Sequence, residues 1–167
     1  WPADNNAWKY GGGTVWQTPA VDPALGLIYF STGNAGPDYN GSLRKGDNLF
    51  TASIVALDIK TGKYRWHFQE VHHDIWDYDA SNPVVLMDLE VDGRTRKAIV
   101  EVGKTGWAYI LDRETGEPIV GIDERQLGPV RRKFGLLFQN GALFDSLNVE
   151  ENVAFPLVEF GVAGVEE

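Results

Sequence analysis

The feature that most constrains this chain is a repeated turn. Ala56-Leu57-Asp58-Ile59-Lys60-Thr61-Gly62 returns as Ile110-Leu111-Asp112-Arg113-Glu114-Thr115-Gly116, with Asp and Gly each displaced by 54 residues. An apolar run that ends in Asp-x-x-Thr-Gly and resumes as another run specifies a hairpin. The Asp accepts hydrogen bonds from the turn it opens, and the Gly supplies the positive φ that closes it. Repeats of this length, each holding several strands, are the mark of propeller blades.

The rest of the chain to about residue 124 agrees. Leu27–Thr32, Ala52–Asp58, Tyr64–Phe68, Val84–Asp88, Lys97–Val102 and Trp107–Asp112 are apolar runs of strand length, too short for typical helices. They are separated by Asp22-Pro23, Gly36-Pro37-Asp38, Thr61-Gly62-Lys63, Asp92-Gly93 and Thr115-Gly116, where Gly or Pro fixes the turn. Six Trp, six Tyr, eight Phe and 19 Gly suit short strands and tight turns. The expected fold is all-β, a partial β-propeller. Past Gly121 the repeat stops and a basic cluster, Arg131-Arg132-Lys133, appears. A boundary is expected between about Asp123 and Val130, giving a propeller part at 1–126 and an unrelated tail at 127–167. In that tail Asp145 or Ser146 could cap a short helix with Val149, Val153 and Leu157 on one face.

Charge and composition exclude some functions. A net charge of −9 argues against nucleic acid or an anionic membrane surface as partner. No apolar run approaches the roughly 20 residues of a membrane span. Without cysteine there is no disulfide, thiolate metal site or thiol nucleophile in this segment. The chain opens at Trp1 with no Met and no signal-like segment, so further residues are expected upstream.

The densest group of ionisable and aromatic residues is His72-His73-Asp74-Ile75-Trp76-Asp77-Tyr78-Asp79. On a strand, Asp77 and Asp79 would share a face. Two converging carboxylates need a cation or a proton between them, which leaves a hard-cation site or a coupled acid/base pair. His72 and His73 would point to opposite faces, which disfavours joint chelation. Gly103-Lys104-Thr105 looks like the end of a phosphate-binding loop, but Ala98 stands where the first Gly is required.

Four blocks, in order, resemble the cofactor-lining part of PQQ-dependent (quinoprotein) alcohol, methanol and glucose dehydrogenases. They are Gly11-Gly12-Gly13-Thr14-Val15-Trp16, then Leu27 through Pro37, then Gly46-Asp47-Asn48-Leu49-Phe50 with Ser53 through Asp58, and finally His73-Asp74-Ile75-Trp76-Asp77. The resemblance covers about two thirds of the chain and implies two to three blades of an eight-bladed ring. It implies oxidation of an alcohol or sugar, with PQQ and Ca²⁺ or another hard cation as cofactors. It also implies a periplasmic location and cytochrome c or a quinone as electron acceptor. A segment of this size is expected to bind PQQ weakly when isolated.

Residue roles follow from the same resemblance. Trp16 would form the floor under the PQQ ring, and Thr14 would donate to a PQQ carboxylate. Asn34 would ligate the metal, with Asp77 and Asp79 as further oxygen ligands. Asp77 would be the general base. Lys104, 27 residues further on, would stabilise charge on the quinone oxygens as both a catalytic and a cofactor-binding residue. Asp79 is compatible with the lanthanide-using methanol branch and with the glucose branch. A non-catalytic scaffold built from the same repeats is the alternative. Residues from about 130 to 159, including Gly135 through Leu147 and Glu151 through Leu157, resemble the Q-loop region of ABC-transporter ATPases, with Gln139 as the Q-loop glutamine. The phosphate loop, Walker-B carboxylate and signature motif of such an ATPase are all missing, so no ATP hydrolysis is expected. A junction of two unrelated coding pieces would explain the change of character.

Overall fold

A computed structural model describes residues 1–119 of the 167, and the chain divides into the units Trp1–Asp123 and Glu124–Glu167. The expected tail helix and Gln139 lie outside the described residues. Those residues are all-β apart from one 3₁₀ turn at Ala7–Lys9. Strands β1 (Ala20–Asp22), β2 (Leu27–Ser31), β3 (Ser53–Asp58) and β4 (Tyr64–Gln69) form an antiparallel meander in that order. Strands β5 (Val85–Val91), β6 (Arg94–Val102) and β7 (Ala108–Asp112) form a second antiparallel sheet. The first is a four-stranded blade, and the second supplies three strands of the next, so the fold is a partial propeller.

Strand β1 is a correction: it is absent from the expected strands, and its last residue falls in the expected turn Asp22-Pro23. Strands β5 and β6 also run three residues further at their shared end than the apolar pattern implied. Exposed polar residues there keep the backbone ladder going, with Leu89↔Arg96, Glu90↔Thr95 and Val91↔Arg94 opposed. The turn between them is Asp92-Gly93, with φ of 51° and 72°. Positive φ at both central residues matches the twist of a two-residue hairpin.

The core lies between the two sheets. Leu27, Tyr29, Ile54, Ala56 and Trp66 from the first pack with Val84, Ile99, Tyr109 and Leu111 on the side of the second sheet. Strand β3 is central in its sheet and buried along Ser53-Ile54-Val55-Ala56, whereas β2 alternates buried and half-buried positions. The Asp112 turn docks on the first sheet. The carbonyl of Arg113 accepts from Tyr29 Oη at 2.8 Å and Trp66 Nε1 at 3.3 Å. The Arg113 guanidinium pairs with Asp22 at 2.9 Å and Asp88 at 3.2 Å. Antiparallel order brings the end of β2, the start of β3 and the end of β4 to one edge of the sheet. The long connections 32–52 and 70–84 therefore begin or end at that edge.

Candidate active site

The glycine-rich segment 11–16 is stitched antiparallel to the turn after β2. Gly13 N donates to Asn34 O at 2.7 Å, Gly33 N to Thr14 O at 2.9 Å and Gly36 N to Gly11 O at 3.2 Å. A Cβ on Gly12 would strike the backbone of residues 34–36, so only glycine allows this approach. Gly33 is needed for a different reason. A Cβ there would lie 2.6 Å from Cζ3 of Trp16, whose ring rests on the glycine and stays 51 % exposed. Thr14 engages through its carbonyl, and its side chain is exposed.

Residues 72–79 are a loop, not a strand, so the shared face expected for Asp77 and Asp79 is reached by another route. The carboxylate of Asp74, fully buried, organises the loop. Its Oδ1 accepts from Trp76 N at 2.9 Å, and its Oδ2 accepts from Tyr78 N at 2.9 Å and Asp79 N at 3.1 Å. His73, Asp77 and Asp79 hold φ of 51°, 61° and 57°. That left-handed conformation is unfavourable for residues with a side chain, though least so for Asp. The alternation turns both carboxylates toward Lys104 in the β6–β7 turn. Lys104 Nζ donates to Asp79 Oδ2 at 2.7 Å and to the carbonyl of Asp77 at 2.9 Å, and lies 3.8 Å from Asp77 Oδ2. The cation required between two such carboxylates is, here, an ammonium. Burial pulls the Lys104 pKa down, but the hydrogen bond to Asp79 and the charges of Asp79, Asp77 and Asp74 outweigh it and hold it above its ordinary value.

Asp79 also reaches the β2 turn, where its Oδ1 accepts from Asn34 N at 2.8 Å. The Asn34 amide donates to Asp38 Oδ1 at 2.9 Å and, more weakly, to Ala35 O at 3.4 Å. No donor among the described residues reaches Asn34 Oδ1 or the Asp77 carboxylate apart from the long Lys104 contact. Trp16, Asn34, Asp77, Asp79 and Lys104 are thus linked through Gly33 and Asp79, while the Thr14 hydroxyl has no part in the linkage. His72 and His73 go to separate partners, Asp47 at 3.6 Å and the carbonyl of Gly46 at 2.8 Å.

The donor set fits a hard cation in part. A neutral amide oxygen and a free carboxylate suit oxygen coordination. Asp79 has both oxygens committed, and among the described residues no group of three or more His, Cys, Asp or Glu gathers around a point. These residues offer one flank of a metal site.

Three residues that matter here carry no sign in the sequence. Arg44, fully buried, donates to Pro37 O, Asp38 O, Asp74 O and Asn48 Oδ1. Glu70, just past the end of β4, and Glu101 of β6 face each other beneath Gly103. Burial pushes the Glu101 carboxyl up to about 6, and burial together with the charge of Glu101 pushes Glu70 well above the usual range. Only the Asx-like spacing of Asp74 to residues 76, 78 and 79 could have been read in advance.

Comparison with known proteins places this geometry. The family described as PQQ, glucose/ethanol/alcohol dehydrogenase, β-propeller domain, matches residues 1–132. The chain belongs to that family. It is 47 % identical over 122 residues to the dehydrogenase subunit of alcohol dehydrogenase (quinone) from Gluconobacter oxydans strain 621H, covering 70 % of this chain and 16 % of the relative. The solved quinohemoprotein alcohol dehydrogenase of Comamonas testosteroni superposes with a TM-score of 0.62 at 45 % identity, over 65 % of this chain and 17 % of that one. A europium-containing methanol dehydrogenase superposes with a TM-score of 0.66 at 43 % identity, over 70 % and 20 %. The chain therefore spans no more than about a fifth of the length of these relatives. No helix among the described residues is long and apolar enough to cross a membrane. The Q-loop resemblance lies outside those residues, and the family match ends at 132.

Proposed function

We propose that this quinoprotein-family chain supplies one flank of the active site of a PQQ- and metal-dependent dehydrogenase that oxidises an alcohol or sugar. One observation carries the reading. The Asp77 carboxylate, beside the Lys104 ammonium, and the Asn34 amide oxygen, on the residue after the Gly33 that carries the Trp16 ring, accept from no donor among the described residues apart from the long Lys104 contact.

Each residue then has a task. Trp16 offers a flat, polarisable surface on which a planar ring stacks. Asn34 would give an amide oxygen, and Asp77 a carboxylate oxygen, to a hard cation. Asp77 takes the hydroxyl proton of the substrate, a step worth about 10²–10⁴ in rate when the base is well placed. Lys104 keeps its proton throughout the physiological range and presents positive charge to developing oxyanions. Asp79 holds Lys104 and the Asn34 backbone in register, and each of its oxygens keeps a lone pair that could reach a metal. When bound, PQQ would supply the hydride-accepting quinone and the metal its Lewis acidity. Thr14 donates its exposed hydroxyl to a carboxylate of the cofactor. The metal is Ca²⁺ or a lanthanide, the location is periplasmic, and the acceptor is a cytochrome c or a quinone.

The test is Asp77→Asn in the PQQ-loaded protein that carries this chain. We expect kcat to fall by about 10³ with the cofactor still bound, as read from its absorbance. Unchanged turnover would overturn the assignment. Because the tail lacks the phosphate loop of the ATPases it resembles, the 167-residue chain should bind no nucleotide in calorimetry with ATP and Mg²⁺; measurable binding would overturn this.

A further inference from the structure

Asn34 and Asp77 lie on separate connections, and a single buried side chain joins those connections. We propose that Arg44 is a positioning residue that sets the site's affinity for its metal ion, by fixing the Asn34 turn against the Asp77 loop. The proposal rests on the reading of Asn34 and Asp77 as metal ligands.

Arg44 is 0 % exposed. Its Nη2 donates in two directions, to the Asp74 carbonyl at 2.6 Å and to the Pro37 carbonyl at 2.9 Å. Nε reinforces the second contact at 3.3 Å. Nη1 donates to Asn48 Oδ1 at 2.7 Å, and Asn48 Nδ2 donates back to the Arg44 carbonyl. Among the described residues no carboxylate lies within ion-pair distance of it. Its direct acceptors are all neutral, so burial costs desolvation that the charges of Asp74 and Asp38 offset only in part, and an apolar residue in its place would leave those buried acceptors unpaired. What an apolar residue cannot do is bridge.

The two ends of the bridge lead directly to the proposed ligands. On one side, Pro37 precedes Asp38, whose Oδ1 accepts the Asn34 amide N–H and thereby leaves Asn34 Oδ1 as the free end. On the other, the backbone gripped by Arg44 belongs to Asp74, whose carboxylate holds the amides on both sides of Asp77. The guanidinium is a rigid planar fork, so it sets a distance; a lysine ammonium is one point on a flexible stem and would not. Residues that orient metal ligands change affinity by about 10–100-fold when altered.

The experiment measures Tb³⁺ affinity by tryptophan-sensitised luminescence, with Ca²⁺ competition, in the protein that carries this chain. Wild type, Arg44→Lys, Asn34→Ala and the double variant are compared, with melting temperature recorded for each. We expect Arg44→Lys to weaken Tb³⁺ binding at least tenfold, and the double variant to bind no more weakly than Asn34→Ala alone, because Arg44 acts through that ligand. A purely structural role would lower the melting temperature and leave the two effects additive. If Asn34→Ala weakens binding and Arg44→Lys binds as wild type does, the positioning role is overturned. If Asn34→Ala has no effect, the metal-ligand reading itself fails and this proposal falls with it. Should Arg44→Lys not fold, Asn48→Ser removes one acceptor and leaves the fork. A measurable weakening, short of the roughly tenfold expected for Arg44→Lys, then decides the matter, and wild-type affinity overturns the proposal.

Discussion

Both the Asp112 turn and the Asp74–Asp79 loop are organised by a carboxylate that accepts backbone amides. Asp112 Oδ1 takes Glu114 N at 3.0 Å and Thr115 N at 3.2 Å, as Asp58 Oδ1 takes Lys60 N at 3.1 Å and Thr61 N at 2.8 Å. They differ in where the left-handed residues fall. In the repeat turns that conformation belongs to Gly62 and Gly116, for which it carries little penalty. In the loop it belongs to His73, Asp77 and Asp79, which pay a steric penalty of about 1 kcal/mol each. The repeat turn is built for stability, and the loop accepts strain in order to aim two carboxylates. That strain is held in place by Asp74 within the loop and by Arg44 from outside it.

The comparison can be broken most severely at Asp74. Asp74→Ala removes the acceptor for three amides and should destabilise by about 4 kcal/mol in denaturant unfolding, with loss of metal binding. A loss under 1 kcal/mol would show that the loop holds its shape without its carboxylate. Next come the two turn glycines. A Cβ on Gly116 would lie 2.6 Å from Trp66 Cε3, whereas one on Gly62 meets nothing within 4 Å. Gly116→Ala should therefore cost about 3 kcal/mol and Gly62→Ala about 1 kcal/mol. Equal costs would mean that the docking of the second turn on Trp66 contributes nothing.

The Glu70–Glu101 pair gives a third contrast, because its strain is electrostatic. Both carboxyls are raised, so the folded state binds more protons than the unfolded state between the ordinary glutamate pKa and the raised values. Stability is full below that ordinary value and falls as pH rises through about 6 and beyond. Glu101→Gln should flatten this slope, making the variant more stable than wild type at pH 8 by on the order of 2 kcal/mol and similar to it at pH 4. An unchanged slope in pH-dependent melting would contradict the burial argument. The smallest effect is at Asp77 itself. Asp77→Gly relieves the left-handed strain and adds chain entropy to the unfolded state, so stability should stay within about 1 kcal/mol of wild type while turnover is lost. A large destabilisation would mean that Asp77 has a structural role.

The parts legible in the sequence were those whose causes are local. Strands β2 to β7 and the Asp58 and Asp112 turns follow from runs and turn residues within ten positions. Strand β1 was hidden because three residues between prolines carry no periodicity. The grouping of Trp16, Asn34, Asp77 and Lys104 came from family resemblance; nothing in their spacing shows that Asp79 joins Asn34 to Lys104. Arg44 and the Glu70–Glu101 pair were not legible at all. Their partners are some 30 residues away, on other connections or strands, where no local spacing links them.

The central claim is that Asn34 and Asp77 flank one cation under the open face of Trp16. A crystal structure of the protein with PQQ and Ca²⁺ bound tests it most directly. We predict the ion at about 2.4 Å from Asn34 Oδ1 and from an Asp77 oxygen, the PQQ ring stacked on Trp16 and Lys104 at a quinone oxygen. An ion bound elsewhere, with Asn34 Oδ1 more than about 4 Å from it, would contradict the account.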